Sequence, residues 1–80
     1  MDYVIRMSRP EGALYFMRVV SEGLPFSSEW TKDPYKAARM LYADALDAWH
    51  TIATHVGYSA ASIMSEKDLC LSLNRKEFYG

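Results

Sequence analysis

Cysteine is almost missing from this chain: Cys70 is the only one in 80 residues. A lone thiol excludes an intramolecular disulfide and a thiolate metal cluster, and it suits a reducing compartment. Long apolar runs are missing too, and none approaches the ~20 residues that a membrane-spanning helix needs. The N-terminal run Tyr3-Val4-Ile5, followed by Arg6 and Arg9, is too short for a signal peptide and does not read as a transit peptide. A soluble cytoplasmic protein without membrane contact is the expectation. Nor is there an excess of charge, since nine Lys and Arg against ten Asp and Glu leave a net charge of −1. Such a balance provides neither the positive field of a nucleic-acid binder nor the negative one of a DNA mimic, so direct nucleic-acid binding is disfavoured. The four glycines are scattered singly, which rules out a glycine-rich phosphate loop.

Core-forming residues are abundant. Half of the chain is hydrophobic and 14% is aromatic, too much for a disordered segment. Residues 1–80 are read as a single domain that buries roughly 60% of its unfolded surface, with an ordered core over about 2–73 and a loose tail over 74–80. Residues Asp2 to Ser8 alternate, with Tyr3, Ile5 and Met7 on one side and Val4, Arg6 and Ser8 on the other, as in a half-buried strand. Arg9-Pro10-Glu11-Gly12 reverses the chain: proline's φ is preset for a turn and glycine accepts a positive φ. Ala13 to Val20 returns as the second strand. Its Tyr15, Met17 and Val19 are expected on the face of Tyr3, Ile5 and Met7, with Arg18 beside Leu14 and Phe16.

After turn chemistry at Ser21-Glu22-Gly23-Leu24-Pro25, Phe26 to Trp30 reads as a short edge strand with Phe26, Ser28 and Trp30 pointing one way. Asp33-Pro34 is a helix-start signal. Beyond it Ala38, Leu41, Ala45, Trp49, Ile52 and Val56 keep helical spacing, widened by Tyr42, Ala48 and Ala53, and Gly57 is placed as a C-cap. Two readings of this stretch stay open. Either one helix runs from Pro34 to His55, or a turn over Pro34 to Ala37 and a brief strand around Arg39 to Leu41 precede a helix that begins near Tyr42 or Ala43. A last strand within Tyr58 to Glu66 lies beside the hairpin, and Leu69, Leu71 and Leu73 alternate as a further strand or arm. The fold class is α+β: a small antiparallel sheet, made of the N-terminal hairpin plus one or two further strands, packed on one main helix.

The segment Trp30-Thr31-x-Asp33-Pro34-x-Lys36-Ala37-x-Arg39-Met40, preceded by Tyr-Val-Ile-Arg and Tyr-Phe strands, resembles a pattern found in very small proteins of bacteriophages and prophages. In those a leading strand, a hairpin, a Trp-Thr-x-Asp turn, a Lys-Ala-x-Arg-Phe strand, a helix and a final strand make up the molecule. The likeness covers residues 3 to about 66. Met40 replaces the usual phenylalanine, and Tyr42 replaces the usual serine or threonine cap. Some proteins of this size and origin inhibit bacterial defence, anti-CRISPR proteins among them. The resemblance thus implies a phage-encoded inhibitor in the host cytoplasm, whose partner is a host protein complex such as a CRISPR-Cas effector.

No catalytic, cofactor or metal constellation is expected. His50 and His55 are five apart and do not share a helix face as metal ligands would. Cys70 reads as a small core residue, and Asp44 and Asp47 as a solvated helix face. Ser8, Ser21, Ser27 and Ser28 lack the strand-to-helix turn that exposes a nucleophile. Trp30 and Trp49 are assigned to the core. Lys32, Tyr35, Lys36 and Arg39 form a basic, aromatic-bearing corner and are the first candidates for partner binding. Arg6 and Arg18 on the outer hairpin face, with Glu22, are the second. A nucleic-acid-binding accessory protein and a homodimer that pairs through an exposed strand edge are the alternative functions.

Overall fold

A computed structural model describes residues 2–21, 23, 25–57 and 60–79, with side chains as far as Leu73. Among these, the order is β1 (Tyr3–Arg9), β2 (Gly12–Ser21), β3 (Ser27–Thr31), a 3-10 turn (Pro34–Lys36), α1 (Tyr42–Val56), β4 (Ala61–Ser65) and α2 (Glu66–Tyr79). The strands form one antiparallel sheet in the order β3-β2-β1-β4. The expected α+β architecture is present, and a second helix adds to it. Glu22 and Tyr58, to which a turn and a strand start were assigned, lie outside the described residues.

The hairpin loop has two residues, Pro10 and Glu11, because Arg9 stands opposite Gly12, whose φ is +130°. Such a loop sets odd residues against even ones. Arg6 therefore faces Tyr15, and Met7 faces Leu14. This corrects the expected faces: Tyr15 joins Val4 and Arg6, while Phe16 joins Ile5. A register shift between Phe16 and Arg18 then reverses the alternation of β2. Val19 returns to the Ile5 cluster, and Arg18 is paired with Glu29 on the opposite face from Phe16.

Nor is the sheet half-buried. Val4 and Ile5 are adjacent in sequence and point oppositely, yet each is fully buried. On one face Ile5, Phe16 and Ala61 pack with Ile52 of α1, joined by Trp30, Trp49 and Met40. On the other, Val4 and Tyr15 pack with Ala37 and with Leu69 of α2. Burying both Val4 and Ile5 contributes about 3–6 kcal/mol before entropic costs. The expected arm at Asp68 to Leu73 is thus helix, and the backbone of 74–79 continues it where a loose tail is expected. Leu69 and Leu73 are four apart and share the core face, whereas Leu71 is half exposed. Ser65 Oγ accepts from the Asp68 N–H at 3.1 Å, a serine cap at the helix start.

The stretch between the 3-10 turn and α1 follows the second of the two readings. β1 and β2 stop pairing at Arg6 and Tyr15. Beyond that point the 37–40 segment enters between them: Ala38 N–H donates to Phe16 O at 2.9 Å, and Met40 exchanges two bonds with Tyr3 at 2.7 and 3.0 Å. Ala37 consequently belongs to one core cluster, and Ala38 and Met40 to the other. The helix begins only at Tyr42. Its stripe is narrower than its periodicity suggests: Ala45, Ile52 and Ala53 are buried, while Leu41, Tyr42 and Val56 are exposed.

Candidate functional site

The turn after β3 is built from local hydrogen bonds. Thr31 Oγ1 accepts from the Asp33 N–H at 3.0 Å, and Asp33 Oδ1 accepts from the Tyr35 N–H at 2.9 Å. Asp33-Pro34 therefore starts a helix as predicted, but of a single 3-10 turn, closed by Lys36 N–H to Asp33 O at 3.0 Å. Arg39 locks it from beneath. Its Nη1 donates to Pro34 O and to Ala37 O, both at 2.8 Å, and its Nε reaches Glu66 Oε1 at 3.3 Å.

This geometry divides the predicted corner. Tyr35 is 76% exposed, and Lys32 and Lys36 are exposed beside it. Neither lysine has an ion pair among the described residues. The turn therefore presents an exposed aromatic ring and two exposed cations on a backbone held by its own hydrogen bonds, which lowers the entropic cost of docking. Arg39 is spent inside the fold, its side chain only 25% exposed. It is a positioning residue for the turn.

Arg6 and Arg18 stand on β1 and β2 of the sheet. Arg18 donates to Glu29 Oε2 at 2.8 Å and is largely exposed. The Nε of Arg6 is buried and has no hydrogen-bond partner. The face that carries Arg6 is covered in part by Leu69 and Ala37, so it is not the open outer face that the hairpin pattern suggests.

Trp30 packs edge-on against Phe16 at 5.6 Å and donates its indole N–H to Ser28 Oγ at 2.7 Å. Trp49 also packs towards the sheet and donates to Ala61 O at 2.8 Å. Both tryptophans are partly buried and pack against the Ile5 core cluster, not within it. Cys70 is exposed, contrary to its assignment, because it sits one residue past Leu69 and so turns about 100° away from the core. His55 stacks on Phe26 with ring centres 4.1 Å apart. These two rings help wall an open groove of about 480 Å³ that also takes in Met7, Arg9 and Trp30. Among the described residues, no three of His, Cys, Asp and Glu gather as metal ligands.

Two surfaces escape the sequence reading. One is this ring-lined groove, which needs the contact between β3 and the end of α1. The other lies beside β4, where Leu46, Trp49, Ala61, Ser62 and Ile63 line an open apolar groove of about 370 Å³. Leu46 carried a usable signal: it lies four residues after Tyr42 on the same side of the helix, and both are exposed. No family model, curated protein or solved structure matches this chain. Among the described residues, no helix is long and apolar enough to cross a membrane.

Proposed function

We propose that this chain is a non-catalytic protein-binding domain, a phage-encoded inhibitor that occupies a surface on a host defence complex in the host cytoplasm. The proposed target is a CRISPR-Cas effector, blocked sterically at nucleic-acid entry or nuclease recruitment. One observation carries the binding role: the rigid turn that displays Tyr35 between Lys32 and Lys36 while Arg39 holds it from within. Tyrosine is enriched among the residues that dominate interface energetics, and the flanking lysines select an acidic partner face. The likeness of the Trp-Thr-x-Asp-Pro-x-Lys-Ala-x-Arg segment to small phage proteins supports the choice of target. Steric occupation requires only an interface of ordinary size, on the order of 800 Å² per partner.

The test is affinity capture from a lysate that contains an active CRISPR system, using the native chain and a Lys32→Glu, Tyr35→Ala, Lys36→Glu triple variant. The native chain is expected to recover a Cas subunit, and the variant to recover at least about tenfold less with an unchanged melting temperature. Equal recovery by both, or none by the native chain, refutes the proposal. The exposed lysine pair also suits a second reading, a nucleic-acid-binding accessory protein. That reading requires affinity for DNA or RNA that falls with salt, with a log–log slope of about −2 for two phosphate contacts.

A further inference from the structure

β4 is the terminal strand of the sheet and, among the described residues, pairs only with β1. The Ser8 N–H donates to Ala60 O at 3.2 Å, which sets the phase of that ladder. The pairs 8–60, 6–62 and 4–64 bond inward, so Ala61, Ile63 and Ser65 turn their N–H and C=O groups outward. Trp49 already donates to Ala61 O, and the side chain of Ser65, at the end of the strand, caps α2. Ile63, at the middle of the strand, keeps one donor and one acceptor on the open edge.

The strand Ala61-Ser62-Ile63-Met64-Ser65 has no charge and no proline. It therefore lacks the usual devices that keep an edge from pairing. The opposite edge differs, because β3 carries Glu29 in an ion pair with Arg18. Beside β4, α1 presents Tyr42 and Leu46, 53% and 45% exposed, and Leu46 overhangs the groove that Ile63 lines.

We infer that β4 pairs antiparallel with β4 of a second copy, about a twofold axis through Ile63. On that axis the Ile63 N–H meets the partner's Ile63 C=O, and the reverse, so one residue satisfies both edges. The same axis keeps α1 on the same side of the joined sheet in both copies. Two antiparallel α1 helices then flank the seam and cover Leu46 and Tyr42 with their counterparts. Self-pairing brings each charge close to its own copy, which an uncharged strand tolerates. Five strand residues span about 17 Å, and 15 helical residues about 22 Å. Together they offer on the order of 1,000 Å² in total, the low end of specific interfaces, so association is micromolar and reversible.

The dimer carries two Lys32–Tyr35–Lys36 turns, and gains avidity for any partner that repeats its site.

Sedimentation velocity on the full chain, from about 1 μM to 1 mM, tests this. A 9.2 kDa species is expected to double in mass as concentration rises, with little dependence on salt because the seam is apolar. Leu46→Lys, at an exposed position, should weaken association at least about tenfold without lowering the melting temperature. Ile63→Pro, which removes the outward N–H, should abolish it; if that variant fails to fold, Leu46→Lys decides alone. A monomer throughout the range, or association that Leu46→Lys leaves unchanged, overturns the inference.

Discussion

Arg39 is the residue whose removal most directly probes the logic of this fold. Replacing it with alanine takes away two charge-assisted bonds at 2.8 Å, to Pro34 O and Ala37 O, and one contact at 3.3 Å to Glu66. A bond from a charged donor contributes about 1.5–3 kcal/mol net. The two carbonyl bonds share one nitrogen, so their joint value is nearer the cost of one good bond plus the desolvated carbonyl left behind, about 3 kcal/mol. The ion pair adds little, because Glu66 is 43% exposed and such pairs are worth at most about 1 kcal/mol. For a domain of this size, 3 kcal/mol lowers the melting temperature by about 12–24 °C. Urea unfolding of Arg39→Ala, Glu66→Ala and the double variant separates the two contributions. The single Arg39 variant should lose about 3 kcal/mol, Glu66→Ala no more than about 1, and Arg39→Lys should recover less than half, since an ammonium lacks the planar fork. An Arg39→Ala loss below about 0.5 kcal/mol, or a coupling to Glu66 that accounts for most of the loss, would refute the assignment of Arg39 as the clamp of the turn.

Two further substitutions separate core from surface and backbone from contact. Ile52→Ala removes a fully buried side chain between α1 and the sheet and should cost about 2–5 kcal/mol; Val20→Ala, at a residue 59% exposed, should stay within about 0.5 kcal/mol. Chemical denaturation measures both, and equal costs would mean that α1 does not cover Ile5 and Phe16. Gly57 ends α1 with φ +100° and open space around the position where a Cβ would stand. Gly57→Ala should therefore lose about 1–3 kcal/mol from backbone strain alone, read as a lower melting temperature with unchanged far-ultraviolet dichroism. A neutral result would show that the helix end relaxes at no cost.

Much of the fold was legible because its signals are local. Alternation in residues 3–8, the Pro10–Gly12 turn and the return strand identify a hairpin without tertiary information. The stripe from Ala45 to Ile52 identifies a helix, and Gly57 its end. Legibility failed where two periods fit the same residues. Leu69, Leu71 and Leu73 satisfy a two-residue period, yet Leu69 and Leu73 also satisfy a four-residue one, and only the exposed side of the sheet, needing cover for Val4, decided for helix. The faces of β2 were misassigned because the register depends on an even loop length and a bulge, neither of which alters the hydrophobic pattern.

Of the candidate site, the residue types and the turn chemistry at Thr31, Asp33 and Pro34 were readable in sequence, and so was the basic, aromatic character of the corner. The direction of Arg39 was not. It depends on whether residues 38–40 continue a helix or bond to β1 and β2, and helical spacing is present in both cases. By itself the sequence determined an α+β domain with a hairpin, a main helix and a capped turn, because each rests on interactions between residues close along the chain. Only the tertiary structure decided that the 37–40 segment wedges between two separating strands, that Arg39 turns inward while Tyr35 and the lysines remain outside, and that β4 is left as an uncharged open edge. Those outcomes depend on which distant backbone groups remain unpaired once the local elements have formed, and no local pattern records that.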